Sequence, residues 1–364
     1  MYQEGLHKSG HITEKSPDGT DATPIALSRA LQAHSDAATG LPLERLADWL
    51  EDWLEVWIVS KTGVEITTLT INDTGWSNLV IDINHRWILR LPKQLIAPEK
   101  GLPAPRFALE QAIITALCHQ GLPASLMPAL ILSSASTANT AKSPATKVLP
   151  EVMLYPKIDG AHTAIDSLIR EAQKLLAQQL ARFLASLHQL PRAPELVGLG
   201  LNAYPYGDDD FLADILPAAA AHLSRDGQQN ALAYFENAVN RFEHNPLPKP
   251  RICHGDFGPG NILIGPDGSL GGVLDFSDVC LGDPAMDLAP LWRRTSSDFF
   301  ASLLAQYQTE LGDTHWQALH PASLMERIQF QALRKASFVI WYAERYGFED
   351  GIQNSLGYLK HHFE

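Results

Sequence analysis

Between His254 and Asp287 the chain gathers residues able to handle a highly charged transition state. His254-Gly255-Asp256 runs into Phe257-Gly258-Pro259-Gly260-Asn261, and Asp275-Phe276-Ser277-Asp278 follows a short apolar stretch. Phosphoryl transfer needs a carboxylate near the attacking hydroxyl, magnesium held against the phosphates, and neutralisation of the charge that develops. Magnesium takes few protein oxygens and keeps phosphate and water as its other ligands. A His-x-Asp loop with Asn five residues beyond the Asp supplies a carboxylate and an amide oxygen from one turn. Asp275 supplies a further carboxylate if the chain doubles back. Ile262–Ile264 and Gly272–Phe276 flank the turn signal Pro266-Asp267-Gly268, so a β-hairpin is expected to bring it back. The plain alternative is that His254 and Asp256 cap a turn and Asp275 ends a strand.

A loop Asp and Asn followed by an Asp-Phe metal carboxylate is the order of the kinase signature. Beyond that, HGDFGPGN, GVLDFSD and GDPAMDLA together resemble the aminoglycoside phosphotransferase superfamily, small-molecule kinases that share the protein-kinase fold. The likeness runs from residue 64 to about 360. It implies an α+β, two-lobed, protein-kinase-like fold. The β-rich N-lobe over 41–156 would bind nucleotide, and a mostly helical C-lobe over 157–364 would carry the catalytic loop and the acceptor site. Residues 1–40 would form a flexible extension. By position, Asp256 would be the catalytic carboxylate and Asn261 and Asp275 the magnesium ligands. His254, Asp278, Asp283 and Asp287 would brace the loop. ATP or GTP would be the co-substrate and Mg2+ the cofactor, in the cleft between the lobes. Ser277 stands where Asp-Phe-Gly has its glycine, so no activation-segment switch is implied.

The implied acceptor is a small-molecule hydroxyl on an aminoglycoside or a related amino- or sugar-bearing antibiotic. One rival is a metabolic kinase for a sugar, choline-like or amino-acid alcohol. Another is a catalytically silent nucleotide-binding module, which the joint presence of Asp256, Asn261 and Asp275 disfavours. A protein kinase is disfavoured by His-Gly-Asp and by the lack of Ala-Pro-Glu after Asp275.

The elements that must position these groups follow from patterning. Val64–Ile71, Leu79–Ile83 and Trp87–Leu91 are short and rich in β-branched and aromatic residues, as antiparallel strands are. Arg90 in the third of them offers a cation for nucleotide phosphates, and arginine can grip phosphate with two N–H groups. Lys93 is the alternative cation. Glu110, on the helix expected over 106–119, shares a face with Ile113, Ile114 and Leu117. A charge on an apolar face needs a partner, and Arg90 would serve. Asn72–Asn78 is the candidate phosphate-covering turn. Its Gly75-Trp76-Ser77-Asn78 resembles a Gly-x-x-Asn of relatives, although such residues suit any hairpin. Leu154–Gly160 resembles the lobe-connecting hinge of the family, which implicates Tyr155, Lys157 and Ile158 in holding the nucleotide.

Further strands are expected at Pro128–Leu132 and Val152–Tyr155. After Gly160 the pattern is helical over 176–187, 211–243, 298–312 and 324–346, with the 262–276 hairpin as the one β-like stretch. On the acceptor side, Asp210 precedes a helix and could cap it or meet substrate. Tyr342, Glu344 and Glu349 combine an aromatic with carboxylates near the C-terminus, which suits an amino-sugar cation and equally suits a surface helix with a buried aromatic stripe. His188 reads as a structural residue at a helix end.

Bulk properties agree with a soluble enzyme. The chain has 364 residues, 45% hydrophobic and 19% charged, with a formal net charge of −13. An acidic surface repels phosphate backbones, so nucleic acid is not an expected partner. No apolar run is long enough for a membrane span. Cys118, Cys253 and Cys280 form neither a CxxC pair nor a disulfide framework, which points to a reducing, cytoplasmic setting.

Overall fold

The computed structural model describes residues 10–12, 54–72, 77–96, 104–128, 130–132, 151–204, 206, 210–244, 248–347 and 352–364. They group into two compact units, 1–111 with 128–158 and 112–127 with 159–364.

The first unit is built on a six-stranded antiparallel sheet. Its strands are β1 (Gly10–Ile12), β2 (Leu69–Asn72), β3 (Asn78–Ile83), β4 (Trp87–Pro92), β5 (Ile131–Leu132) and β6 (Met153–Pro156), in the order β1-β2-β3-β4-β6-β5. Helix α1 (Leu54–Thr62) precedes β2, and α2 (Phe107–His119) follows β4. Alternation along β3 buries Leu79, Ile81 and Ile83, each removing apolar surface worth roughly 1.5–3 kcal/mol. The β3–β4 turn places Asn84 and His85 in the left-handed region, at φ 52° and 54°. Asn tolerates that conformation. Its Oδ1 also accepts N–H bonds from Thr67 and Thr68 at 2.8 Å each, tying the turn to the chain before β2. Gly10–Ile12, within the stretch expected as a flexible extension, instead pairs with Leu69–Ile71 as the edge strand. Strand β2 starts at Leu69, later than expected from the run beginning at Val64. An apolar helical stripe at Leu43, Leu46 and Leu50, a short helix suggested over 24–33 and the low-complexity segment 133–147, also read from the sequence, lie outside the described residues.

The second unit is mostly helical. Its long helices are α3 (Arg170–His188), α4 (Arg225–His244), α5 (Ala285–Arg294), α6 (Ser297–Gln317), α7 (Leu324–Tyr346) and α8 (Ile352–Phe363). Helix α3 buries Leu176, Leu180, Phe183, Leu184 and Leu187, the 3.6-residue face visible in the sequence. The helical stretch expected over 211–243 is broken. Phe211–Ile215 forms a π turn, Leu216–Ala220 a short helix with Pro217 in its first turn, and α4 begins afresh at Arg225. Proline cannot donate to the preceding ladder, so a helix restarts there. Helix α6 runs on past residue 312 by kinking at Gly312, whose φ is 70°.

Two antiparallel strand pairs lie among the helices. The expected hairpin is β8 (Ile262–Ile264) with β9 (Leu270–Val273). The expectation of a single β-like stretch is corrected by a further pair, β7 (Arg251–Cys253) with β10 (Cys280–Gly282). Three-residue strands this far apart in sequence carry no periodic signal. Among the described residues, no helix is long and apolar enough to cross a membrane.

Candidate active site

The catalytic-loop candidate is held from beneath by one carboxylate. Asp287 in the first turn of α5 is fully buried. Its Oδ2 accepts the His254 N–H at 2.7 Å and its Oδ1 accepts the Gly255 N–H at 2.9 Å. His188, at the end of α3, reaches the same Oδ2 through Nε2 at 3.0 Å, while its Nδ1 meets the Tyr307 hydroxyl at 2.5 Å. The carboxylate takes the His188 N–H, so Nδ1 is left to accept from tyrosine. Burial pushes the Tyr307 hydroxyl far up, so it stays a donor. His188, Cys253 and Asp287 offer ligand atoms within 4.8 Å of one another. Both ring nitrogens of His188 are already engaged, which makes the cluster a brace and not a vacant metal site.

His254 is buried above Asp287. Its Nε2 faces the Leu274 carbonyl at 3.0 Å and must donate to it, so Nδ1 accepts the Asp256 N–H at 3.3 Å. Gly255 between them has φ +84°, and a Cβ there would stand 2.2 Å from the Asp278 carbonyl oxygen. Only glycine fits a backbone approach of that kind. Asp278 thus backs the loop through its main chain. Partial desolvation by the surrounding protein pushes the Asp278 carboxyl up, against the pull of Lys335, although its side chain still reaches solvent.

Asp256 and Asp275 are each followed by a buried phenylalanine. Phe257 stacks on Phe183 of α3 at 5.7 Å, and Phe276 lies 6.3 Å from the same ring. These anchors leave Asp256 with 42% of its side chain exposed. Asn261 Nδ2 donates to the Asp256 carbonyl at 2.8 Å and to Asp256 Oδ2 at 3.0 Å. With the amide nitrogen so committed, Oδ1 of Asn261 is the end left to accept. The Leu274 N–H donates to the Asn261 carbonyl at 2.8 Å, so the hairpin does return Asp275 beside Asn261. Asp275 sits in the left-handed region at φ 57°, a conformation rare outside glycine and asparagine. Its Oδ1 accepts from Ser277 through Oγ at 2.7 Å and through N at 3.3 Å. Ser277, where a glycine was the familiar residue, therefore pins the carboxylate.

Asp283 departs from the expectation that it braces the loop. Oδ1 caps the start of α5 through the Ala285 N–H at 2.9 Å, and Oδ2 takes Arg327 Nε of α7 at 2.6 Å and the Tyr206 hydroxyl. Arg327 is fully buried and demands a carboxylate, which Asp283 provides.

Lys335 was not singled out in the sequence. It projects from α7, with Nζ 3.2 Å from Asp256 Oδ1 and 3.9 Å from Asp278 Oδ2. Burial pulls its ammonium down, but attraction to Asp256 and Asp278 outweighs that and holds it above the ordinary lysine range. The one sequence signal was its place on a helical stripe with Phe338, Tyr342 and Tyr346.

In the first unit, Arg90 Nη1 donates to Glu110 Oε2 at 3.0 Å with both side chains buried, the pairing the apolar face of α2 predicted. Phe107 lies beneath the guanidinium at 5.5 Å. Lys93 is buried as well. Asn78 opens β3, buried, with Oδ1 lacking a hydrogen-bond partner among the described residues. Residues 73–76 of the candidate phosphate turn lie outside the described residues. Tyr155 is buried, Ile158 is half-buried, and exposed Lys157 pairs with Asp82 at 2.6 Å.

The acceptor-side candidates do not converge. Asp210 is exposed and makes no side-chain cap bond, because its own backbone is already helical at φ −66°. Glu344 pairs with His222 at 2.7 Å on the surface. Tyr342 is buried between Phe338 and Tyr346, with centroids at 5.7 and 4.5 Å. Glu349 lies outside the described residues.

Residues 68–322 match the model of a phosphotransferase enzyme family. No curated protein matches the chain in sequence. Solved structures do match in fold. The GDP and kanamycin complex of APH(2″)-IIIa is 18% identical with a TM-score of 0.60, covering 84% of this chain and 96% of that one. The streptomycin–ATP ternary complex of APH(2″)-IIa is 19% identical, TM-score 0.55, over 85% and 96%. The apoenzyme of macrolide 2′-phosphotransferase MphH from Brachybacterium faecium is 18% identical, TM-score 0.52, over 86% and 97%. The fold is thus the two-lobed, kinase-like α+β architecture.

Proposed function

Because the chain belongs to the phosphotransferase enzyme family, we propose that it moves the γ-phosphate of a nucleoside triphosphate onto a hydroxyl of a small molecule. The observation that carries this reading is the shared turn in which Asn261 fastens Asp256 and the hairpin returns Asp275. Asp256 projects part-exposed from the loop and is the group to orient the acceptor hydroxyl and take its proton. It is locked at Oδ2 by Asn261 and through its N–H by His254, so little reorientation remains to be done when the acceptor arrives.

The donor set at the loop suits magnesium: Asn261 Oδ1 and the Asp275 carboxylate are hard oxygens. Asn261 and Asp275 would hold the ion, which when bound neutralises phosphate charge. In the first unit, Glu110 keeps the Arg90 guanidinium fixed, a cation suited to the nucleotide's phosphates. The backbone of 155–158 is the candidate hinge for the purine. The acceptor is an amino- or sugar-bearing antibiotic, supported by the solved relatives that hold kanamycin and streptomycin and by the macrolide 2′-phosphotransferase. The cytoplasm, with its triphosphates and magnesium, is the compartment such chemistry calls for.

The test is magnesium-dependent consumption of ATP and of GTP across aminoglycosides, macrolides and sugar alcohols, with Asp256→Ala alongside. Acceptor-stimulated turnover should fall by about 10²–10⁴-fold in the variant while nucleotide affinity holds. A chain that binds neither nucleotide would end the proposal.

A further inference from the structure

An acceptor hydroxyl oriented by Asp256 must come within hydrogen-bond reach of its carboxylate. Any group on a neighbouring carbon of the acceptor then lies a few ångströms from whatever already surrounds Asp256. What faces its Oδ1 is a cation, shared with Asp278. Lys335 Nζ stands 3.2 Å from Oδ1, and the Phe338 ring is 5.7 Å from the same ammonium. The next residue on α7, Arg334, is buried and lies over the Tyr204 ring at 4.2 Å, adding a second positive charge to this stretch.

Four carboxylates of this region, Asp256, Asp278, Glu344 and Asp214, already have partners among the described residues. Asp256 and Asp278 face Lys335. Glu344 pairs with His222, and Asp214 accepts the Trp341 indole N–H at 3.0 Å. Aromatic faces that attract cations are also taken, Phe338 by Lys335 and Trp341 by Arg345 at 5.2 Å. What continues from Lys335 along α7 is Phe338, Tyr342 and Tyr346, at helical spacings of three, four and four that put them on one face. Sugar rings present apolar C–H faces that part-exposed Phe338 and Tyr346 can cover, with buried Tyr342 packed between them.

Resting on the phosphotransferase reading above, we propose that Lys335 is a specificity-determining residue: it reserves the place beside Asp256 for a hydroxyl on an uncharged polyhydroxylated ring and turns away acceptors with an ammonium next to the reacting hydroxyl. Like charge set against the wrong ligand is an established route to discrimination. Of the amino- or sugar-bearing class, the structure thus favours the sugar.

The experiment compares kcat/KM for two matched probe pairs, glucosamine with N-acetylglucosamine and kanamycin with its fully N-acetylated form, in wild type, Lys335→Met and Lys335→Arg. Nucleotide binding is measured on the same samples. Wild type should favour the neutral member of a pair by at least about tenfold. Lys335→Met should shift that ratio about tenfold or more toward the amine, and Lys335→Arg should keep it. A purely structural role would lower both members together and leave the ratio alone. Wild-type preference for the amines, a ratio unmoved in Lys335→Met, or no turnover of either neutral probe by a protein that binds nucleotide would each overturn the proposal. Loss of nucleotide binding in wild type would instead remove the phosphotransferase reading beneath it.

Discussion

Arg90 and Glu110 meet as a buried ion pair, whereas around the candidate catalytic loop a single carboxylate, Asp287, answers two backbone N–H groups and an imidazole. The first arrangement fixes a side chain that must stay charged. The second fixes main chain, so that a different carboxylate, Asp256, can remain exposed. A buried pair can be replaced by apolar residues of similar volume with little loss. A carboxylate serving backbone donors has no apolar substitute, since those N–H groups persist whatever the side chain.

That contrast can be broken by substitution. The largest effect is expected from Asp287→Ala, which leaves three buried donors without an acceptor at roughly 1–3 kcal/mol each, a total of about 4 kcal/mol. Urea unfolding followed by fluorescence would read it, and a loss below about 1 kcal/mol would mean the loop is held by something else. Next is Arg90→Met, expected to cost about 3 kcal/mol by taking the guanidinium away from buried Glu110, with Glu110→Leu in the same chain recovering most of it. Calorimetry on the single and double variants checks this, and a double variant as unstable as the single would erase the distinction between the two regions. Stability would return in the double variant but nucleotide affinity would not. The smallest effect is that of Glu344→Ala. Its pair with His222 is surface-exposed, so stability should move by less than about 1 kcal/mol and acceptor kinetics not at all. A KM rising severalfold for an amine-bearing acceptor would return Glu344 to the acceptor site.

The two regions also differed in how plainly they could be read. The loop chemistry is contiguous: Asp256, Asn261 and Asp275 lie within 20 residues, and the Pro-Asp-Gly turn announces the hairpin that joins them. Arg90 with Glu110 was legible because a charge on an apolar helix face demands a partner. Lys335 was not, since it meets Asp256 across 79 positions and α7 shows only that it sits on a stripe. Asp283 was misjudged because its motif suggested the loop, while the buried Arg327 that claims it lies 44 residues on. Helix α5 went unread because Pro290 stands inside it and its first turn looked like motif. The break before α4 falls at Ser224, whose hydroxyl accepts the Gly227 N–H at 3.2 Å and caps the new helix, a role a lone serine in an apolar-periodic stretch does not announce.

Phe183 receives the phenylalanine behind each of the two candidate aspartates, Asp256 and Asp275. A displacement of that ring would carry both loops in the same direction. The separation of Asp256 from Asp275 is then better preserved than the position of either. A small enzyme with one such shared fulcrum can tolerate drift in its frame while keeping its internal ruler constant.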